Sequence, residues 1–181
     1  TSCKSWDASM MSPTKDAISP QLLTVEKRIE DYSNAAVQRS DSELKLFTQE
    51  LEENIMDPYG DKYGYIAYKR GPVEFDNPFI YSFITGATAG IPLIFGMPFA
   101  KPEAKVEVEL RVLDQDDTLI GKYSATGVGT ATGALYYGYG MGDAYQKANF
   151  EALKDAYGQI RPQIQEDVKR LNKALKEAGK L

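Results

Sequence analysis

In KVEVELRVLDQDDTLIGKYSATGVG, residues 105–129, apolar or small side chains occupy alternate positions: Val106, Val108, Leu110 and Val112 before the acidic DQDD, then Leu119, Gly121, Tyr123 and Ala125 after it. A period of two places such residues on one face of a strand, and two such runs joined by a polar turn predict an antiparallel β-hairpin. The turn carries Asp114, Asp116 and Asp117, but lacks the glycine and terminal glutamate of an EF-hand loop, so these carboxylates are read as turn solvation.

Following the hairpin, GVGTATGALYYGYGMGD (127–143) interleaves Gly127, Gly129, Gly133, Gly138, Gly140 and Gly142 with Tyr136, Tyr137 and Tyr139. Without a G-K-[ST], and without the strand and helix of a dinucleotide unit around it, the stretch reads as a glycine-broken strand or loop. A long helix is expected from Asp143. Ala144, Ala148, Ala152 and Ala156 recur every four residues, and Leu153, Tyr157, Ile160, Ile164, Val168, Leu171 and Leu175 extend its apolar face. Pro162 is expected to kink that helix or divide it.

Before the hairpin lies PFIYSFITGATAGIPLIFGMPFA, residues 78–100, with no charged side chain. It reaches the roughly 20 residues that a membrane-spanning helix needs, and Gly86 and Gly90 have G-x-x-x-G spacing. Pro92, Gly96 and Pro98 divide it, and no Lys/Arg cluster flanks it, so a full span is not expected. Two readings remain: a buried segment whose glycines permit close packing, or an apolar surface that docks on a membrane or protein partner. On the second, Phe79, Ile80, Phe83, Ile84, Ile91, Leu93, Ile94 and Phe95 are the candidate contact residues.

Upstream, Leu23, Val25 and Ile29 suggest a partly buried strand. In SDSELKLFTQELEENI (40–55), Ser40 and Glu43 have capping-box spacing, and Leu44, Phe47, Leu51 and Ile55 form an apolar helical stripe. MDPYGD ends that helix, and KYGYIAYKRGPVEF then favours a strand until Gly71-Pro72 interrupts it. Residues 1–20, rich in Ser, Pro, Thr and Lys, read as a flexible tether, with a single domain over 21–181. The order strand, helix, strand, apolar segment, hairpin, long helix predicts an α+β fold: a mostly antiparallel sheet with helices on one face and a long C-terminal helix.

Composition narrows the chemistry. The 181 residues include no histidine and carry a net charge of -5 with scattered bases. The commonest general base and metal ligand are therefore missing, and no phosphate-tracking surface is evident. Neither nucleic acid, metal nor cofactor is expected, and a binding role is favoured over an enzyme. The alternative is a small-ligand binder or carboxylate-based enzyme built on the Gly/Tyr stretch around Tyr136, Tyr137 and Tyr139.

The only cysteine is Cys3, in Thr1-Ser2-Cys3. It cannot form an internal disulfide. Small residues just before a cysteine resemble the end of a bacterial lipobox. LTVEKRIEDYS, LFTQELEENIMDPYGDKYGYI, GIPLIFGMPF, VLDQDDTLIGKYSATG and LYYGYGMGDAYQKANFEALKDAYGQI are together similar to uncharacterised lipoproteins of Bacteroidetes-type bacteria. That resemblance implies lipidation at Cys3 and a cell-envelope location through the lipid anchor, and leaves the molecular role open; Cys3 together with the uncharged 78–100 run motivates the expectation of an outer-membrane or periplasmic protein partner. CKSWDA lacks the anionic run associated with surface export, so the periplasmic side of the outer membrane is favoured.

Overall fold

The computed structural model describes residues 7–30, 40–76, 86–89, 91–134 and 136–181. Along the chain these form β1 (Glu26–Ile29), α1 (Asp41–Glu50, continued by a π-helical turn at Leu51–Ile55), β2 (Gly64–Asp76), the four-residue α2 (Ile91–Ile94), β3 (Glu103–Asp114), β4 (Leu119–Thr130) and α3 (Met141–Ala178). The sheet order is β1-β2-β3-β4. β2, β3 and β4 are antiparallel neighbours, whereas β1 pairs parallel to β2 and reaches it through a crossover that contains α1. The expected α+β class and mostly antiparallel sheet are what the chain adopts.

Register assigns the faces. Leu110 pairs with Tyr68 and Tyr123, and Val106 pairs with Val73 and Gly127, so the alternate apolar residues of three strands share one side. Along that side Ala104, Val106, Val108, Leu110 and Val112 are buried beneath α3. A fully buried aliphatic side chain stabilises the fold by about 1.5–3 kcal/mol relative to exposure. On the opposite face, Glu109 pairs with Arg111 at 3.2 Å and Lys122 at 3.1 Å. α1 joins α3 on the buried face, where Phe47 stacks on Tyr68 with ring centroids 4.3 Å apart and the Tyr157 hydroxyl lies 3.3 Å from that of Tyr68.

Gly127 and Gly129 set the distance between α3 and the sheet. A Cβ on Gly127 would lie 1.9 Å from the Ala152 carbonyl oxygen, and one on Gly129 would lie 2.1 Å from that of Ala148. Backbone therefore meets backbone here, which explains both the alanine repeat of α3 and the two glycines near the end of β4.

Several local expectations change. The buried residues of α1 are Leu46 and Phe47 with Glu43 and Glu50, while Leu44 is only half-buried. Upstream of it, Leu22 and Val25 point inward, and Ile29 is exposed. Gly71-Pro72 does not end β2: the register shifts between Arg70 and Val73, so one extra residue is absorbed as a bulge and pairing resumes. Helix α3 runs through Pro162 without a break. Pro162 and Gly158, whose carbonyl loses its helical donor, are both exposed, so water can replace that bond.

The first turn of α1 is closed by Ser40, whose hydroxyl accepts from the Glu43 amide at 3.3 Å. Ser40→Ala is expected to cost about 1 kcal/mol in thermal or urea unfolding. An unchanged midpoint would mean that water replaces the hydroxyl at no cost.

Packing also extends upstream of residue 21. Ile18 is buried and its amide donates to the Asn54 carbonyl at 2.8 Å. Asn54 donates to the Thr14 carbonyl and accepts from the Asp16 amide. Asn172 of α3 brackets the same strap, accepting from the Leu23 amide at 2.8 Å and donating to the Gln21 carbonyl at 2.9 Å. Cys3 lies outside the described residues.

Candidate functional site: an apolar end and a polar cleft

Two stretches singled out in the sequence meet at one end of the sheet. Ala100 and Gly133 form a bridge, with the Phe99 amide donating to the Gly133 carbonyl at 2.9 Å and the Gly133 amide to the Ala100 carbonyl at 2.8 Å. Gly133 also bridges to Tyr139, just before α3 begins. The Phe99 ring packs over Gly133, where a Cβ would lie 2.7 Å from it. Gly96 turns the chain with φ +87°, a left-handed conformation that favours glycine, and faces the Tyr137 ring.

This ladder holds apolar side chains in solvent. Phe95 is 85% exposed, Ile94 66% and Ile91 57%, with Leu93 half-buried. Tyr136, Tyr137 and Met141, from the stretch that carries Gly133 and Tyr139, are exposed as well. The other candidate contacts, Phe79, Ile80, Phe83 and Ile84, lie outside the described residues. Among those that are described, no helix is long and apolar enough to cross a membrane.

The tyrosines separate. Tyr139 belongs to the core, whereas Tyr136 and Tyr137 face solvent. Asp114 is occupied in the hairpin turn, its Oδ1 accepting from the Asp116 and Thr118 amides at 2.9 Å each, and Asp117 pairs with Arg28. Among the described residues, no group of three or more His, Cys, Asp or Glu is placed to hold a metal ion.

Sequence reasoning missed a polar cleft of about 590 Å³ between the strap, the end of β4 and α3. Thr14 and Asp16 form one wall, Gly129 and Thr130 another, and Lys147, Glu151, Lys154 and Arg161 come from α3. These four α3 residues, spaced by four, three and seven, share one helix face. Their spacing is visible in the sequence, but the facing walls that turn this face into a cleft come from distant segments.

The cleft floor connects to a buried ionic network. Arg161 is buried, donates through Nε to Glu50 Oε1 at 2.6 Å and pairs through Nη1 with Asp16 at 3.3 Å. Glu50 also accepts from Asn54 at 2.8 Å. Burial pushes the Glu50 carboxyl above its ordinary value, against the opposing pull of Arg161 and Asn54. Glu43 forms a second junction, holding Arg70 at 2.9 Å and accepting from Asn149 at 2.6 Å. Its carboxylate is thus engaged with β2 and α3, and the capping-box role expected of it passes to Ser40 alone. At the other end of α3, Tyr123 donates to Asp167 at 2.9 Å; burial, reinforced by that carboxylate, pushes the phenol up and keeps it neutral.

No family model matches the chain, and comparison with curated proteins gives no significant match.

Proposed function

We propose that the protein is a lipid-anchored cell-envelope protein, held at the periplasmic side of the outer membrane through Cys3, and that it acts by binding an outer-membrane or periplasmic protein through its apolar end. The observation that carries the binding role is the exposure of Ile91, Ile94 and Phe95, whereas most other large apolar side chains among the described residues are packed in the core. Surface apolar clusters of this kind mark contact sites.

The course of the strap supports the anchor. Residues 21–23 lie against Asn172, Asp16 lies against Arg161, and Thr14 shares the cleft with Lys147. Read from β1 backward, the chain therefore travels toward the N-terminal end of α3, where the apolar end is also built. Cys3 precedes Asp7 by four residues, a reach of at most about 14 Å. Anchoring there would hold the apolar end near the membrane.

The test is intact mass of the full-length gene product recovered from bacterial membranes, with Cys3→Ala alongside, and a photo-crosslinker placed at Ile94. The expected result is acyl mass on Cys3 that the variant lacks, together with a discrete crosslinked partner abolished by Phe95→Asp while the melting temperature holds. An unmodified, unanchored chain would refute the anchor. Crosslinks indifferent to Phe95→Asp would refute the contact surface.

A further inference from the structure

We propose that the 590 Å³ cleft is a binding site for a small carboxylate-bearing ligand, held by Lys147 and Lys154, and that Glu151 occupies the carboxylate position while the site is empty. Its volume falls within the range of small-molecule pockets, about 300–1,000 Å³.

The distribution of charge carries the assignment. Both ammonium groups approach the same oxygen, Glu151 Oε1, Lys147 at 3.2 Å and Lys154 at 3.7 Å. Two cations thus share a single acid. Neither lysine has another ion-pair partner among the described residues, although Lys147 also lies 5.6 Å from the centroid of the Tyr139 ring. The remaining cleft acids are engaged elsewhere: Asp155 accepts from the Val128 amide at 2.9 Å and from Gln159 at 3.0 Å, and Asp16 is on Arg161.

The lysines are also partly withdrawn from water, with side chains 24% exposed at Lys147 and 16% at Lys154. Both lysines line the cleft, so their partly dehydrated ammonium groups are presented to whatever enters it. A ligand carboxylate entering beside Glu151 would complete the second ion pair, and the hydroxyls of Thr14 and Thr130 stand on the cleft walls for its polar remainder. Glu151 then acts as an internal competitor, setting affinity by how readily it yields one lysine. This site is distinct from the apolar end and stands whether or not that surface has a partner.

Isothermal titration with succinate and citrate at low salt, with inorganic phosphate as the comparison anion, tests the assignment. Saturable binding of the carboxylates is expected. Lys154→Gln should weaken it about tenfold, as loss of a charge-assisted bond does. Glu151→Gln, which removes the competitor but spares both cations, should tighten it by a similar factor. Lys173→Gln, elsewhere on α3 and exposed, should leave it unchanged. Melting temperatures verify that each variant is folded. Absence of saturable carboxylate binding in both the unmodified protein and Glu151→Gln overturns the site, and so does a Glu151→Gln variant that binds no tighter. Saturable phosphate binding without carboxylate binding overturns the ligand class.

Discussion

Gly127→Ala and Gly129→Ala are each expected to destabilise the domain by about 3 kcal/mol or more, a large fraction of the roughly 5–15 kcal/mol by which an ordinary domain is stable. The atoms that a methyl group would meet at these positions are the main-chain oxygens of Ala152 and Ala148, at 1.9 and 2.1 Å. A flexible side chain could swing aside, but a helical carbonyl cannot move without carrying α3 with it. Separating α3 from β4 would loosen the burial of Leu153, Ile160 and Ile164 together. Gly142→Ala is the control, since it lies in the same helix and a Cβ there meets nothing within 4 Å. It should be neutral or stabilise by up to about 1 kcal/mol. Urea unfolding monitored by circular dichroism reads all three. If the β4 variants unfold at the midpoint of the Gly142 control, the close approach of helix and strand is wrong.

The second large effect is expected at the buried ion pair. Arg161→Met removes the partner of Glu50 and leaves a carboxylate inside the protein, a loss that typically costs about 3–5 kcal/mol. Replacing both residues by apolar ones, Glu50→Leu with Arg161→Met, should recover much of it, because the pair's desolvation then disappears along with its attraction. The acidity of Glu50 gives an independent signature. Burial raises its folded pKa above the unfolded value, so its favourable contribution is fully present below the ordinary carboxyl range and is lost as pH rises through the raised folded value. In Arg161→Met the opposing guanidinium is gone, so stability should fall more steeply with rising pH over that window. Glu50→Gln should flatten the dependence. A loss in Arg161→Met that is the same at every pH would assign the defect to packing instead of charge.

The hairpin was legible because its information is local: alternation at Val106, Val108, Leu110 and Val112 needs only the pleat of a strand to become a buried face. The alanine repeat of α3 was legible for the same reason. Its partner, Gly127 and Gly129, reads from sequence only as part of a glycine-broken strand or loop, because the close approach that gives those residues their role depends on a helix that starts beyond them in the chain. Arg70, Arg161, Glu43 and Glu50 were illegible, since a charged residue in a sequence reads as exposed until long-range partners surround it. The cleft was hidden for a related reason: its walls come from residues 14–16, 128–130 and 147–161, and only the tertiary fold brings them together. For the apolar run the sequence leaves a buried segment and a contact surface both open; among its described residues Ile91, Ile94 and Phe95 lie in solvent, Leu93 is half-buried and Ala100 is buried.

The strap along α3 has a mechanical consequence. Its ties at Asn172 and Arg161 are spaced along the helix by eleven residues, or about 16 Å at 1.5 Å per residue. A pull at the N-terminus directed along that axis would load the Asn54, Arg161 and Asn172 bonds in parallel, as shear, whereas a pull perpendicular to it would open them one after another, beginning at Thr14. The strap is thus built to bear tension in one direction and to peel in the other, and its covalent continuation into β1 takes the pull directly only after those bonds have yielded.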